Sequence, residues 1–324
     1  MKKLFAILFI VTIGFCLTVN AQTDARYSQY IFNGLVLNPA YAGTQDAISL
    51  RAFYRKQWAN IEGSPQIISL SAHSPFGERK RIGLGITIEN QRTGLTSQTT
   101  VNTDYSYKIE VGKGRLSMGI RAGFTLVNSD LSSANTIDEG IDPELLDETF
   151  FRPNFGYGMH YYTETFYIGA AIPRFLKHTI SDEEESDGKI TRELASNRAY
   201  QFTTGGVFEV NDGFMLKPSM LFRALPSYET YQMDFTLMGI IKEQFSLGTT
   251  FRGDALSRDR YGKSWATQSV NFMIGYKLSN GISIGYAYDL TLGDIQAFQN
   301  GTHEVMFGYD IQKKGNAVLS PRHF

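Results

Sequence analysis

The sequence predicts an all-β fold, a transmembrane antiparallel β-barrel of about fourteen strands. Three observations predict it. Apolar and polar residues alternate with a period of two along most of the 324-residue chain. After the first 21 residues, no run of about 18 apolar residues offers a membrane-spanning helix. The connections between the alternating stretches are short and long in turn, as in outer-membrane barrels with short periplasmic turns and long outer loops.

The alternation is clearest near the end of the chain, between Gly281 and Ile311. One face of this stretch carries large apolar residues, and the other carries small, polar or charged ones apart from Met306. The apolar face comprises Ile282, Ile284, Tyr286, Tyr288, Val305, Phe307, Tyr309 and Ile311. Because tyrosine and phenylalanine are typical of a lipid boundary, we expect Ile284 and Phe307 to face lipid and Ser283 to face the barrel interior.

The predicted strands extend over the whole chain after residue 47. They cover residues 48–58, 67–74, 82–91, 95–110, 115–127, 153–162, 166–173, 199–210, 214–223, 231–241, 244–252, 266–277, 282–290 and 303–311, with boundary errors of about two to four residues. Long connections are expected at 128–152, 174–198, 253–265 and 291–302, and short turns alternate with them. An even strand number places both ends of the chain in the periplasm.

Residues 1–21 have the features of a signal peptide. Lys2 and Lys3 supply the positive start, Leu4 to Phe15 forms a short apolar run, and Val19 and Ala21 are suitable for cleavage after Ala21. The alternative is a retained N-terminal anchor. Cleavage removes Cys16, the one cysteine, and therefore excludes disulfides and cysteine-based zinc sites. It changes the formal charge from −1 to −3, which does not suggest a nucleic-acid-binding protein.

Residues 22–47 form an N-terminal segment that precedes the barrel domain at 48–324. The segment is too rich in aromatic residues for a solvated tail, and Asn38-Pro39 followed by Gly43 is typical of a turn. Two interpretations are open. The segment packs into the periplasmic end of the barrel, which we favour because termini must be tied down to be ordered, or it is a plug or a partner contact.

Motifs that suggest catalysis lack the context that catalysis requires. Gly281-Ile282-Ser283-Ile284-Gly285 matches the serine hydrolase pattern, but it lies inside a predicted strand and no helix follows. The five histidines, His73, His160, His178, His303 and His323, lack ligand spacing. We therefore expect no enzymatic activity, no cofactor and no metal site.

Charged residues fall into two groups. Acidic stretches at Asp138–Glu148 and 181–188 lie in predicted loops, and we expect solvated loops there rather than calcium sites, because the spacing of an EF-hand is missing. Five arginines fall on inward faces: Arg51, Arg55, Arg121, Arg223 and Arg252. We expect them to form salt bridges with inward acids rather than a substrate track.

Several short motifs, taken in order, resemble the PorP/SprF family of type IX secretion system membrane proteins. They include Tyr27-Ser28-Gln29-Tyr30, Asn38-Pro39-Ala40-Tyr41-Ala42-Gly43, Arg55-Lys56-Gln57-Trp58, Gly285-Tyr286-Ala287-Tyr288-Asp289, Gly301-Thr302-His303-Glu304-Val305 and the ending Ser320-Pro321-Arg322-His323-Phe324. The ending departs from the family at His323, where an aromatic is usual. The resemblance spans essentially the whole mature chain.

The resemblance implies a non-enzymatic outer-membrane barrel that supports secretion or surface anchoring of a large adhesin, in gliding motility or attachment. The implied partners are the C-terminal sorting domain of that adhesin, other type IX secretion components and outer-membrane lipid. A small-solute channel or transporter is the alternative. Candidate partner-contact or family-motif positions are Tyr27, Tyr30, Asn38, Pro39, Trp58, Trp265, Tyr286, His303 and Glu304. Trp58 and Trp265 also suit the membrane interface.

Overall fold

The fold is given by a computed structural model of the chain. It describes residues 26–130, 132, 147–176, 198–225, 230–255, 265–292 and 294–311. The predicted signal peptide at 1–21, residues 22–25, the acidic stretch at 181–188, most of the stretch at 138–148 and the ending at 320–324 lie outside these ranges. The cleavage site, the loop chemistry and the family-like ending therefore stay predictions.

Fifteen strands account for most of the described residues. They are β1 (Ile48–Lys56), β2 (Gln66–Phe76), β3 (Ile82–Thr93), β4 (Thr96–Val111), β5 (Gly114–Ser129), β6 (Glu148–Tyr162), β7 (Phe166–Ile172), β8 (Tyr200–Gly206), β9 (Phe208–Asn211), β10 (Phe214–Leu225), β11 (Thr230–Ile241), β12 (Phe245–Ala255), β13 (Trp265–Lys277), β14 (Ile282–Thr291) and β15 (Thr302–Ile311). Each lies within a few residues of a predicted strand, except at the places described below.

The strands form one closed antiparallel sheet. Apart from β8 and β9, strands that follow each other in the chain are paired, and β15 pairs with β1, so that the first and last strands close the ring. Strands β8 and β9 both pair with β10 and occupy a single position in the wall, interrupted at Val207. The wall therefore has fourteen positions, which confirms the predicted antiparallel barrel.

The alternating connections define two ends of the barrel. At the short-turn end, residues 112–113 join β4 to β5 and residues 242–244 join β11 to β12. At the long-loop end, residues 130–147 join β5 to β6 and residues 173–199 join β7 to β8. The connection between β3 and β4 also lies at the long-loop end but has only two residues.

One predicted loop is shorter than expected. The sequence placed a connection at 128–152, but β5 continues to Ser129 and β6 begins at Glu148. Pro153, the first residue of the predicted strand, pairs with β5 but lies outside the β6–β7 pairing, which covers only Tyr157–Tyr162. Proline is tolerated beyond the end of a ladder, where its missing N–H has no partner to satisfy. The second departure is the break at Val207, within the strand predicted at 199–210.

The two faces of the wall follow the predicted register. Ile284 is 50% exposed and Phe307 is 51% exposed on the outer face, whereas Glu304 is fully buried inside. The outer face elsewhere carries large apolar side chains such as Leu84, Ile120 and Phe272. An apolar outer band around a polar interior is the pattern of a barrel that spans a lipid bilayer.

In the described residues, helical structure is confined to short turns. Residues Gly34–Leu37 form one α-helical turn, and Tyr30–Phe32, Pro39–Tyr41 and Asp294–Phe298 form short 3-10 turns. In the part of the chain that the structure describes, none of these helices has the length and apolar character needed to cross a membrane.

A charge on the outer face tests the register. We expect Phe307→Arg to lower the free energy of unfolding in lipid vesicles by about 2–4 kcal/mol, because an arginine at mid-membrane depth must leave water. Ser283→Ala, on the inward face of the neighbouring strand, is the control and should change stability little. Equal tolerance of the two substitutions, measured by urea unfolding, would contradict the assignment of faces.

Candidate functional site

Residues 26–47, here called the lumen segment, lie inside the barrel. Its residues from Tyr27 to Ala42 are almost all buried, and it is folded by three consecutive single turns. Asn38 caps the last turn, because its side-chain oxygen accepts a hydrogen bond from the Ala40 N–H at 2.9 Å. Caps of this kind stabilise a turn that is too short to be stable alone. The segment is therefore a compact insert with its own local structure.

The first residues of the segment are bound by a buried carboxylate. Glu304 accepts the backbone N–H of Ser28 at one oxygen and that of Gln29 at the other, both at 2.8 Å. The Ser28 hydroxyl donates to Asp289 at 2.6 Å. Arg55 reaches the same hydroxyl at 2.5 Å. Both carboxylates thus accept hydrogen bonds from the segment.

These groups belong to a larger charge cluster, defined here as Arg55, Asp234, Arg252, Asp289 and Glu304. Arg55 lies 2.7 Å from Asp289 and 3.1 Å from Glu304. Arg252 lies 2.8 Å from Asp234 and 3.8 Å from Asp289. Two guanidinium groups face three carboxylates, so the N–H donors of the segment compensate the excess negative charge. Buried charges need partners of this kind to be tolerated.

A second ion pair holds the middle of the segment. Arg121 forms a salt bridge with Asp104 at 2.6 Å and also donates to the backbone oxygens of Leu35 at 2.5 Å and Val36 at 3.2 Å. These two oxygens belong to the single α-helical turn, whose last carbonyl groups lack partners within the turn. The Arg121 guanidinium group donates hydrogen bonds to both carbonyl oxygens, so a side chain of the wall completes the hydrogen bonding of the insert.

The last part of the segment is bound near the short-turn end. The Asn38 amide donates to the backbone oxygen of Met159 at 2.9 Å, and the Gly43 N–H donates to His73 Nδ1 at 3.1 Å. The Lys108 ammonium donates to the Gly43 oxygen. The ring of Tyr41 lies between the rings of His73 and His160, with centroids 5.5 and 5.7 Å away. Charged, polar and aromatic contacts therefore continue along the full length of the segment.

Inward glycines make room for the segment. A Cβ atom on Gly119 would overlap the backbone of Pro39 and Ala40, and one on Gly158 would overlap Asn38 Oδ1. The same applies to Gly83 against Ala42 and to Gly285 against Gln29. Glycine is used where another backbone approaches closely. The wall is thus shaped to receive this chain segment.

The described residues enclose one small cavity beside the segment toward the long-loop end. The cavity, lined by side chains that include Tyr30, Arg223 and Arg252, has about 10 Å³ of room, which holds about one water molecule. A water-filled channel needs a far wider path. The segment therefore fills this part of the lumen.

The candidate positions divide into three groups. Tyr27, Tyr30, Asn38, Pro39 and Glu304 lie in the lumen, where Tyr27 bonds Glu89 and Tyr30 bonds Thr236 at 3.1 Å. Tyr286 and His303 lie on the outer face, joined by a 2.7 Å hydrogen bond. Trp58 lies in the loop after β1, and Trp265 begins β13, both at the long-loop end.

Sequence reasoning placed five arginines on inward faces, and the structure confirms salt bridges for four. The pairs are Arg51–Asp310, Arg55–Asp289, Arg121–Asp104 and Arg252–Asp234. The fifth, Arg223, is buried beside the cavity. The sequence pattern did not reveal that Arg55, Arg121 and Arg252 also bind the lumen segment. Arg252 does so by donating to the backbone oxygen of Tyr27 at 3.3 Å. The inward glycines were visible in the sequence and could have indicated a backbone packed against the wall.

Ser283, in the hydrolase-like motif, lies within strand β14 and packs against Gly308. A nucleophile elbow requires a sharp turn between a strand and a helix, and this backbone continues as a strand instead. Within the described ranges, no group of three histidine, cysteine or acidic side chains is placed to hold a metal ion. The chemistry of the lumen is that of hydrogen bonding and charge pairing with a polypeptide segment.

The closed barrel with its apolar outer face defines the class of protein, an outer-membrane β-barrel. The Pseudomonas putida toluene transporter TodX has a similar fold, with a TM-score of 0.50 and 10% identity over 90% of this chain and 95% of that one. Acinetobacter baumannii Omp33 is similar with a TM-score of 0.48 and 7% identity over 82% of this chain and 100% of that one. These likenesses concern the fold alone.

The chain belongs to the type IX secretion system membrane protein family PorP/SprF, whose model matches residues 19–309. The resemblance noted in the sequence is thereby confirmed. The family and the barrel are those of a secretion-system membrane protein and not of an enzyme class. None of the curated protein sequences matches the chain.

Removing the central carboxylate tests the site. We expect Glu304→Ala to destabilise the barrel by about 3–5 kcal/mol, because Arg55 loses a buried partner and two backbone N–H groups lose their acceptor. Chymotrypsin should then cleave the lumen segment at Tyr27 or Tyr30, which are buried in the wild type. Glu304→Gln keeps one acceptor oxygen and should have a smaller effect.

Asp310→Asn is the matched control, because the ionic partners of Asp310, Arg51 and Lys277, are both residues of the wall. It removes a carboxylate charge at the other end of β15 and should leave the segment resistant to chymotrypsin. Equal protection of the segment in the Glu304→Ala variant and in the wild type would show that the carboxylate does not hold it.

Proposed function

We propose that this protein anchors a secreted polypeptide, a large adhesin, at the cell surface by binding its C-terminal sorting domain at the long-loop end of the barrel. The proposal rests on family membership. The observation that carries it further is the lumen segment, which fills the interior and is bound along its whole length. A barrel with a filled lumen suits docking rather than solute passage, since its functional surface is then outside the lumen.

The long-loop end provides the docking surface. The loop after β1 is bonded to the loop before β15, because Ala59 donates to the Gly301 oxygen and Asn300 donates to the Ala59 oxygen, both at 2.8 Å. Trp58 adopts a φ of +47°, which is unfavourable for a bulky residue. The backbone N–H of Trp58 donates to Thr302 Oγ1 at 3.2 Å. Strain of this kind is concentrated at binding sites, which supports Trp58 as a contact for the partner.

The expected orientation has the long loops outside the cell and the short turns in the periplasm, as is usual for such barrels. Other components of the secretion system would then meet the short-turn end, and the secreted partner would meet the long-loop end. Tyr286 and His303 face outward on the wall and suit contact with lipid or with a neighbouring membrane protein.

Deleting the gene and comparing surface proteins tests the proposal. We expect one large secreted protein with a C-terminal sorting domain to disappear from the cell surface, while uptake of small solutes is unchanged. If the surface proteins are unchanged and a nutrient fails to enter, the protein is a transporter and the proposal is wrong.

A loop replacement separates docking from barrel assembly. Residues 178–197 belong to the connection from β7 to β8. Earlier in that connection, the backbone N–H groups of Phe175 and Leu176 donate to Asn154 on β6. Replacing 178–197 with a short Gly–Ser linker should keep the barrel folded but weaken retention of the secreted protein. Replacing Lys242 and Glu243 in a short turn with Asn-Gly is the control and should leave retention unchanged.

A further inference from the structure

The apolar outer band ends at a polar edge on four adjoining strands, β15, β1, β2 and β3, at the long-loop end. The last large apolar residues that point outward there are Val305, Tyr54, Ile68 and Ile88, in that order of strands. The next outward residues towards the long loops are polar: His303, Lys56, Gln66, and Asn90 followed by Arg92. A change from apolar to polar residues on the outside of a barrel marks the level of the lipid headgroups.

Strand pairing places two cations of this edge near each other. Lys56 on β1 lies opposite Gln66 on β2, and Gln66 lies opposite Arg92 on β3. Neighbouring strands are about 4.8 Å apart, so the backbones of Lys56 and Arg92 are separated by about 10 Å. Both side chains are long, and each can reach a ligand that lies over Gln66.

The two cations have no outward acid beside them. On the described strands β14, β15 and β1 to β4, the lysine, arginine and acidic residues that point outward are Lys56 and Arg92. The Lys56 ammonium, which has three N–H donors, contacts the Ser64 oxygen at 3.4 Å. The loop after β1 contributes one acid, Glu62, which is exposed. An excess of positive charge at one edge suits an anionic ligand.

Hydrogen bonds between loops hold the backbone around the cations. Directly after Lys56, the Gln57 N–H donates to the Pro65 oxygen at 2.9 Å and closes the loop. Gly94, in the turn between β3 and β4, donates to the oxygen of Gly63 in that loop at 2.8 Å. The backbones that carry the cations are therefore fixed relative to each other before a ligand binds. Preorganisation of this kind reduces the entropy lost on binding.

We propose that Lys56, Gln66 and Arg92 bind the phosphate group of a membrane lipid. Phosphate oxygens accept charge-assisted hydrogen bonds from ammonium and guanidinium groups, and the Gln66 amide adds a neutral donor. The site adjoins the apolar band, so the acyl chains of the same lipid lie along Ile68 and Ile88. A soluble phosphate compound lacks these apolar contacts, and we therefore assign the ligand to the lipid. This inference is independent of the secreted partner proposed above.

Two lipids that differ only in the phosphate test the site. Purified protein in detergent micelles is titrated with dioleoylphosphatidic acid or with dioleoylglycerol, and the fraction with bound lipid is measured by native mass spectrometry. We expect the wild type to bind the phosphatidic acid at least about tenfold more tightly. Lys56→Gln and Arg92→Gln, each alone, should weaken binding of this lipid by about tenfold. The charge-retaining variants Lys56→Arg and Arg92→Lys should keep most of the affinity.

Lys113→Gln is the matched control, because it removes one positive charge from the exposed turn between β4 and β5 at the other end of the barrel. It should leave the affinity unchanged. An equal loss of affinity in the control and in Lys56→Gln would overturn the proposal, as would equal binding of the two lipids by the wild type. Displacement of the lipid by an equal concentration of glycerol 3-phosphate would show that the ligand is a soluble phosphate, and would overturn its assignment to a lipid.

Discussion

The structure depends on the binding of two backbone N–H groups by the Glu304 carboxylate. This carboxylate is fully buried, and its neighbours Asp289 and Arg55 are nearly so. A buried charge without partners costs several kilocalories per mole, so the wall needs Ser28 and Gln29 in place. The segment in turn is too short to fold alone, since an isolated helical turn is unstable in water. Wall and segment therefore stabilise each other.

The charge cluster links the first strand of the barrel to the last two. Arg55 lies on β1, Glu304 on β15 and Asp289 on β14, the strands that meet where the barrel closes. Backbone pairing joins neighbouring strands in the same way everywhere, whereas Arg55 joins the carboxylates of β14 and β15 to β1 through specific side chains. Inside a barrel, polar networks can specify one arrangement when every member has a partner. We infer that closure of the ring and placement of the segment are coupled.

Sequence predicted the wall well and the interior poorly. The period-two pattern placed Ile284, Phe307 and the inward arginines correctly, because alternation depends only on which side of the wall is apolar. It could not show that Glu304 binds Ser28, since the two residues are 276 positions apart and no pattern relates them. The start of β6 at Glu148 and the break at Val207 deviated because strand ends and interruptions depend on neighbouring strands. The candidate residues Tyr27 and Asn38 were found through the family resemblance, and their contacts through the structure.

The central claim is that the lumen segment closes the barrel, and ion conductance tests it most directly. Purified protein is inserted into a planar lipid bilayer at fixed voltage. Wild type should carry no steady current above that of the lipid alone. A variant that combines Gly119→Val and Gly158→Val should show stepwise openings. The two valine side chains would occupy the places of Pro39, Ala40 and Asn38 and so displace the segment. Stable stepwise conductance of the wild type, equal to that of the variant, would contradict the account.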